Sequence, residues 1–313
     1  MNGHAHAAPG KVVLGFASVY VLWGSTYLAI RFAVASLPPF FMAGTRHLIA
    51  GALLYALMRA RGAGKPTLAN WKSATVLGAL LLLGGNGLVS SAEQTVPSGI
   101  TALMVAAVPF WMVLLNALDQ RRTPGLPILA GLALGVAGLA VLVFPAGGHA
   151  PDHADPMGIA MLLAGTLAWG VGSLYAPRAA MPDSTFLGIG MEMLAGGALL
   201  WLAGLVTGEG AALHLAAVTP KSLLALGYLV IFGSLLGFSS YVWLLKVTTP
   251  ARASTYAFVN PVIAVLLGWA FAGESITPRI AFAGAIIVAA VCLILYFGAA
   301  AKTKAAPAVV EEP

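Results

Sequence analysis

Arg46 and Glu192 are ionisable residues that stand within long apolar stretches of the sequence. They are 146 residues apart (192 − 46), and the dipeptides Trp23-Gly24 and Trp169-Gly170 are separated by the same interval. A charge in hydrocarbon costs about 2.5–3.5 kcal/mol, so such a residue is by default a functional candidate. We expect Arg46 to hold a substrate carboxylate, and Glu192 to hold an amine or relay a proton. Burial between helices, or an Arg46 head group that reaches the membrane interface, is the alternative.

Aromatic and amide side chains in the same stretches form a second candidate set for substrate binding. A Trp or Tyr ring offers flat apolar surface with a polar tip, and an amide can bond a solute. These candidates are Trp23, Tyr27, Asn86, Trp111, Trp169, Tyr175, Tyr241, Tyr256 and Asn260. For any single ring, packing against lipid or a neighbouring helix is the stronger explanation, and an interhelical hydrogen bond explains an isolated amide equally well. The two tryptophans are favoured because the duplication pairs them, and we expect them to face each other across one interface.

The composition places these residues in a membrane protein. Hydrophobic residues make up 60% of the chain and charged residues 8%, against about 25% charged in soluble domains. The mean hydropathy of +0.93 means that apolar side chains face lipid as well as a core. A single cysteine, Cys292, rules out an intramolecular disulfide and a cysteine-based metal cluster. The net charge of +6 does not indicate nucleic-acid binding, because the basic residues sit in short loops between apolar segments.

About 20 apolar residues cross the hydrocarbon as a helix, and the sequence predicts ten such spans. They are roughly 12–35, 38–59, 73–92, 97–118, 125–145, 157–177, 184–206, 221–245, 253–273 and 279–299. With a cytoplasmic N-terminus, only Lys221 and Arg279 of the sixteen Lys and Arg residues fall in outer segments, and Arg31 and Arg46 fall within spans. The positive-inside rule therefore predicts that both termini are cytoplasmic.

The repeat and the topology together predict two inverted halves. At the same offset of 146 residues, Gly44 corresponds to Gly190, and residues 51–54 correspond to residues 197–200. Five spans in each copy start the copies on opposite sides of the membrane, and a site between inverted repeats can open to either side. The expected fold is all-α and integral to the membrane. Its predicted parts are an arm (1–11), a first repeat (12–145), a periplasmic linker (146–156), a second repeat (157–299) and a disordered tail (300–313).

The linker also contains His149, Asp152, His153 and Asp155. On a helix the two histidines would be four residues apart and could bind a metal ion. The prolines and glycines around them favour a solvated linker instead, so no metal site is expected.

The sequence resembles the EamA family of the drug/metabolite transporter superfamily. The residues that carry the resemblance are the two Trp-Gly pairs, the Trp-Gly-Ser-Thr-Tyr run at 23–27, Ser91-Ala92-Glu93, Pro97-Ser98-Gly99, Asn260-Pro261-Val262 and Gly273-Glu274. The first repeat departs from the pattern, with Asp119-Gln120-Arg121-Arg122 where the family often has Gly-Glu. The resemblance implies a bacterial inner-membrane protein of the metabolite and amino-acid exporter branch, with a central cavity that alternates its access.

A secondary transporter that exports small organic solutes by alternating access is the leading functional hypothesis. Its partners are then a small-molecule substrate and the lipid bilayer. Amino acids, related metabolites and amphipathic drugs all suit the candidate residues, and efflux of toxic compounds without an amino-acid role is the alternative. Proton coupling stays open. An enzyme is disfavoured because the spans hold no His-Glu-x-x-His motif or clustered His/Asp set, so no cofactor is expected. A channel is disfavoured because the symmetry is internal and inverted.

Overall fold

The computed structural model describes residues 9–121, 123–143, 155–247 and 256–305, and every regular element in these ranges is a helix. We number the long helices α1 to α10. Their bounds are α1 Pro9–Ala33, α2 Pro39–Ala60, α3 Leu68–Ala92, α4 Ser98–Val105 continued by Val108–Gln120, α5 Leu126–Val143, α6 Pro156–Tyr175, α7 Thr185–Val206, α8 Pro220–Val247, α9 Tyr256–Ala272 and α10 Pro278–Ala305. Short helical turns lie at Ala176–Arg178, Glu209–Ala212 and Leu215–Ala217.

Seven of these helices are long and apolar enough to cross a membrane: α1 to α4 and α6 to α8. In the described part of the chain, α5, α9 and α10 hold shorter apolar stretches, at Leu126–Leu142, Val259–Ala272 and Pro278–Ile294. The chain is thus an integral membrane protein with several spans. The expectation of ten spans, and of two cytoplasmic termini, stays a prediction.

The predicted boundaries differ from the structure at the two ends of the chain and at α3, which begins at Leu68 and not at residue 73. Helix α1 already begins at Pro9, inside the predicted arm, and α10 continues to Ala305, past the predicted end at residue 299. The extension of α10 is rich in alanine, which has the highest helix propensity. The linker residues His149, Asp152 and His153 lie outside the described residues, as do 1–8 and 306–313.

Polar caps and prolines begin the helices where the sequence breaks its apolar runs. The side chains of Thr67, Ser184 and Thr219 accept a hydrogen bond from the backbone N–H three residues later, at the start of α3, α7 and α8. Asp155 does the same for α6. Such a bond satisfies one of the free N–H groups of the first helical turn.

The main helix pairings are exchanged for one another when each helix is replaced by the one five places away. Helix α2 packs on α7, and α5 packs on α10. Helix α1 packs on α9 as α6 packs on α4, and α3 contacts α6 and α7 as α8 contacts α1 and α2. The first and second halves of the chain therefore use corresponding partners for these main contacts.

Glycines bring α2 and α7 into backbone contact. A Cβ atom built on Gly44 would lie 3.0 Å from the Gly197 carbonyl oxygen, and one on Gly51 would lie 2.9 Å from that of Gly190. Since the lower-numbered glycine of α2 meets the higher-numbered glycine of α7, the helices run antiparallel. Small residues allow such close approach in membrane proteins, where no hydrophobic force drives helices together.

The third helix of each half contains a π-helical segment, Gly78–Gly87 in α3 and Leu229–Leu236 in α8. π-helical turns are rare and are frequent at functional sites. Each segment lies against a tryptophan of the other half of the chain. A Cβ on Gly85 would lie 2.7 Å from Trp169 Cε3, and a Cβ on Gly237, directly after the second segment, would lie 2.4 Å from Trp23 Nε1.

The glycine of each Trp-Gly pair admits a side chain from a helix of the other half. A Cβ on Gly24 would lie 2.8 Å from Ile263 of α9, and a Cβ on Gly170 would lie 3.0 Å from Cβ of Trp111 in α4. Trp111 and Ile263 are 152 residues apart (263 − 111), which is also the spacing of Pro109 and Pro261. The dipeptide therefore makes two contacts: its Trp packs on a π segment, and its Gly packs on the fourth or ninth helix.

Glu274 ties the end of α9 to the start of α4. Gly273 adopts a left-handed conformation (φ +67°) that ends the helix, and the Glu274 carboxylate accepts hydrogen bonds from Ser98 N (2.7 Å), Ser98 Oγ (2.8 Å) and Gly99 N (2.9 Å). A carboxylate at a helix N-terminus is favoured by the free N–H groups and the helix dipole. Glu209 caps α2 similarly, through Phe40 N and Phe41 N.

The corresponding end of α4 is built differently. Arg121, which is 152 residues before Gly273 (273 − 121), is itself left-handed with φ 49°. Asp119 forms an exposed ion pair with Arg178 there. The departure of the first repeat from the Gly-Glu pattern is therefore a difference in how the helix ends.

Replacement of Glu274 by alanine should destabilise the protein. The change leaves the N–H groups of Ser98 and Gly99 without their acceptor, at a cost of about 2 kcal/mol. Thermal unfolding of the detergent-purified protein, followed by circular dichroism, measures the effect. Asp183→Ala, at an exposed carboxylate, is the control. Equal transition temperatures for the two variants would contradict the cap.

Gly237→Ala should also destabilise, because its Cβ would push the Trp23 indole off the second π segment. Overpacking of this kind costs about 1–3 kcal/mol. Gly227→Ala in the same helix is the matched control, since no atom lies within 4 Å of a Cβ built there. Alanine has the better helix propensity, so the control should be neutral or slightly stabilising. Equal losses in the two variants would contradict the proposed fit of Trp23.

Candidate functional site

Arg46 lies at the second π segment. Its side chain is 4% exposed, and Nε donates a hydrogen bond of 2.8 Å to Ser234 Oγ. Nη2 lies 2.9 Å from a Cβ built on the neighbouring Gly233, while Nη1 is buried and has no hydrogen-bond partner among the described residues. A guanidinium has five N–H donors in a fixed plane, so one edge of this group is held and the other can receive an acceptor.

His47 is the next residue along α2 and lies at the first π segment. Its side chain is 1% exposed, and Nε2 lies 3.3 Å from Asn86 Oδ1, which is one of the predicted site residues. Nδ1 is buried and unpartnered in the described structure. The adjacent residues Arg46 and His47 therefore contact the π segments of the two halves.

Arg46 and Glu192 do not form an ion pair with each other. Among the described residues, the only pair within 4.0 Å is Arg178 with Asp119. Arg46 follows Gly44 by two residues, and Glu192 follows Gly190 by two. Two residues correspond to a rotation of about 200° around a helix. They therefore occupy faces that point away from that contact. Glu192 is partly buried, and no hydrogen bond of its side chain is described.

Three predicted aromatic residues form one cluster. The Trp23 ring lies 5.2 Å from the Tyr241 ring and 5.0 Å from the Tyr256 ring, and the two tyrosines are 5.6 Å apart. Trp23 Nε1 also donates a hydrogen bond of 3.2 Å to the Gly233 carbonyl oxygen. The cluster is partly buried and adjoins Arg46 through the Gly233-Ser234 pair, so it combines apolar ring surface with a cation.

A surface crevice of about 350 Å³ lies beside this cluster, between the first half of α1 and the last part of α8. Its polar lining consists of Lys11, Ser18, Ser239 and Ser240, and Trp243 closes one wall. Tyr241 of the cluster directly follows the two serines along α8. By the charge distribution of the loops, this end of the bundle is the predicted cytoplasmic end.

The remaining predicted residues are spread over other helix contacts. Trp169 packs on Gly85, and Trp111 Nε1 donates to Thr166 Oγ1 (3.0 Å), which joins α4 to α6. Asn260 is buried in α9 with Oδ1 unpartnered, and its carbonyl oxygen faces Gly24. Tyr175 is the last residue of α6 and is partly buried. Each tryptophan of the duplicated pair is thus placed on a π segment of the other half.

Tyr27 lies one turn after Trp23 on α1, within electrostatic range of Tyr256 and of the Glu93 carboxylate. Arg31 is one turn further along α1, and its Nη1 donates a hydrogen bond of 2.6 Å to the Glu93 carbonyl oxygen. This hydrogen bond joins α1 to the connection between α3 and α4.

Sequence reasoning missed three polar residues of this region: His47, Ser234 and Glu93. His47 directly follows Arg46 within a span, and that position was a usable signal. Ser234 carries no signal of its own, because a serine can bond the carbonyl of its own helix. Glu93 enters the sequence argument only as part of a family motif, and it lies just outside a predicted span.

Comparison with known proteins identifies the kind of protein that holds this site. The EamA-like transporter family matches residues 10–144 and 156–296. An uncharacterized inner membrane transporter of Escherichia coli K12, YedA, is 40% identical over 279 residues, which is 88% of each chain. A probable amino-acid metabolite efflux pump of the same organism is 24% identical over 298 residues, or 90% of this chain and 93% of the pump.

A solved crystal structure shares the fold. It aligns with a TM-score of 0.63 and 23% sequence identity, and the alignment covers 95% of this chain and 100% of the other. The 40% identity to an inner membrane transporter and the apolar spans make the chain a multi-pass inner-membrane protein with a transporter role. With both matched segments taken together, nearly all of the helical part is covered, and the chain belongs to the EamA-like transporter family.

Proposed function

We propose that the chain is a secondary transporter that exports small organic solutes carrying a carboxylate, such as amino acids and related metabolites. The observation that carries the proposal is Arg46, a buried guanidinium with one edge bonded to Ser234 and with Nη1 unpartnered. No carboxylate lies within 4.0 Å of it among the described residues. A buried cation without a counterion is costly, and a substrate carboxylate would supply two acceptors in the geometry that a guanidinium fits.

The proposed mechanism is alternating access between two inverted repeats. The exchange of packing partners between the halves supports this proposal. So does the antiparallel α2–α7 contact, in which Gly44 meets Gly197 and Gly51 meets Gly190. A two-fold axis through such a contact lies across the helices, hence in the membrane plane. Arg46 and Glu192 stand beside that axis, where a site can be reached from either side.

The route from the cytoplasm to Arg46 is proposed to run through the crevice and the aromatic cluster. The crevice opens at the predicted cytoplasmic end, and Tyr241 lies between its serines and Trp23. Side chains of this type suit the apolar part of an amino acid or another amphipathic solute. Glu192 is proposed to bind an amine or a proton on the other side of α7. The proposed substrate class is the one named for the probable amino-acid metabolite efflux pump, which is 24% identical to this chain.

Arg46→Gln should selectively weaken transport of solutes that have a free carboxylate. Loss of charged hydrogen bonds of about 1.5–3 kcal/mol corresponds to a 10- to 100-fold loss of apparent affinity. The measurement is counterflow of a labelled amino acid in proteoliposomes, with unlabelled amino acids and their amides as competitors. The amides lack the carboxylate, so Arg46→Gln should leave their competition unchanged. Arg46→Lys should lie between, because lysine keeps the charge but not the planar fork.

Arg61→Gln, at an exposed arginine that ends α2, is the matched control and should behave as wild type. Ser234→Ala, which removes only the partner of Nε, provides a milder second variant. Acids and amides that compete equally in the wild type would contradict the role of Arg46. Competition by amphipathic drugs alone would favour efflux without an amino-acid role, and non-saturable flux without counterflow would indicate a channel.

A further inference from the structure

Glu93 is a buried carboxylate without a hydrogen bond. Its side chain is 0% exposed, and neither Oε1 nor Oε2 has a partner among the described residues. It stands in the connection between α3 and α4, directly after the span that ends at Ala92. A buried carboxylate is normally paired or bonded to several donors, because burial removes the water that solvates its charge. The fold therefore keeps an ionisable group here in surroundings that oppose its ionised form.

The groups around Glu93 come from three other elements. Helix α1 contributes Arg31 and Tyr27, and the connection after α9 contributes Glu274. The start of α6 packs on Thr95 and Val96 and carries Asp155, whose carboxylate caps its own helix. On α2, the nearest titratable group that contacts α3 is His47, which is bonded to Asn86 about two turns away.

The charge of Glu93 bears directly on the contact between the two halves of the chain. Glu274 belongs to the second half, and both of its oxygens accept bonds from Ser98 and Gly99 of the first half. An ionised Glu93 repels that carboxylate, and a neutral Glu93 does not. Arg31 offsets part of the repulsion, but its described hydrogen bond goes to the Glu93 backbone carbonyl.

A proton fits this site better than a metal cation does. Sodium or calcium ions need several oxygen ligands, and the Glu274 oxygens are already occupied by Ser98 and Gly99. The Arg31 guanidinium adds a positive charge beside the carboxyl group. Burial, and secondarily the Glu274 charge, raise the pKa of Glu93 well above its usual range, while Arg31 opposes the rise.

We propose that Glu93 is a proton-binding site, and that its protonation holds closed the end of the helix bundle that contains the connection between α3 and α4. In the closed form the carboxyl is buried and neutral beside the Glu274 bridge to α4. When the end opens, water reaches Glu93, which ionises at an ordinary carboxyl pKa and releases its proton. The closed form thus binds more protons than the open form, so acid favours closure and rising pH favours opening. The use of this proton in a transport cycle rests on the proposed function; the site itself does not.

Infrared spectroscopy of the purified protein tests the protonation without any substrate. A protonated carboxyl has a C=O stretching band that an ionised one lacks. The wild type should keep such a band at neutral pH, and Glu93→Gln should lose it. Glu192→Gln distinguishes the other candidate carboxyl in the membrane, and Asp183→Asn is the exposed control. A neutral-pH band whose intensity is the same in Glu93→Gln as in the wild type, or its absence from the wild type, would overturn the proposal.

Cysteine labelling tests the link to closure. Ser90 is fully buried one turn before Glu93, and Cys292 is the chain's single native cysteine. In a Cys292→Ala background, the maleimide labelling rate of Ser90→Cys is divided by that of an exposed Asp183→Cys protein, which cancels the thiol's own pH dependence. The ratio should rise about tenfold per unit of pH across the Glu93 titration, the limit for one proton. With Glu93→Gln it should stay low at every pH, because the amide mimics the neutral acid.

An equal rise of the labelling ratio in the wild-type and Glu93→Gln backgrounds would contradict the proposed closure. A labelling ratio that depends on sodium at fixed pH would mean that Glu93 binds a metal cation and not a proton. These measurements need no transported solute. If both measurements give the expected results and no solute shows counterflow, the proposed transport function is contradicted and the proton site is not.

Discussion

The glycine contact between α2 and α7 is the interaction on which the site depends. Gly44 and Gly51 of α2 let the backbone of α7 approach through Gly197 and Gly190, where a larger residue would separate the helices. The contact occupies one face of α2, so Arg46 must point elsewhere. It points to α8, where Ser234 and Gly233 receive it. A close contact between apolar backbones thus determines where the buried cation lies, because a helix of 3.6 residues per turn fixes every other position on α2.

The two π segments make equivalent contacts with a tryptophan and with a basic residue. In α8, Gly233 accepts the Trp23 N–H and Ser234 accepts from Arg46; in α3, Gly85 packs on Trp169 and Asn86 bonds His47. In α3, Gly85 leaves room for the Trp169 ring. In α8, the Gly233 carbonyl oxygen bonds the Trp23 indole, and Gly237 leaves room for its ring. The polar residue after Gly85 or Gly233 meets a basic side chain from α2. This arrangement explains the duplicated Trp-Gly pair physically. Its tryptophan packs on a π segment, and its glycine leaves room for the bulky residue at 111 or 263.

Features that recur along the sequence could be predicted from it, and features that depend on contacts between distant residues could not. Apolar length identified the helices, and the 146-residue register identified Gly44, Gly51, Gly190 and Gly197 without showing that they touch. The grouping of Trp23 with Tyr241 and Tyr256 needs three helices to meet, which no local pattern encodes. The π segments were not predicted from the sequence either. Glu93 lies just outside a span, and its burial results from the packing of α1 and the connection after α9.

The symmetry of the backbone is not matched by the chemistry of the side chains. Exchange of the halves turns Arg46 into Glu192 and His47 into Met193, which is fully buried among apolar residues. Both described hydrogen bonds between side chains that involve the π segments therefore come from α2, and none is described from α7. Symmetric helices can move symmetrically, whereas a solute needs one defined orientation. Under the proposed function, a cation on one side of the α2–α7 contact and a carboxyl on the other would provide that orientation, so divergence at these two positions would give the two similar halves different roles toward the solute.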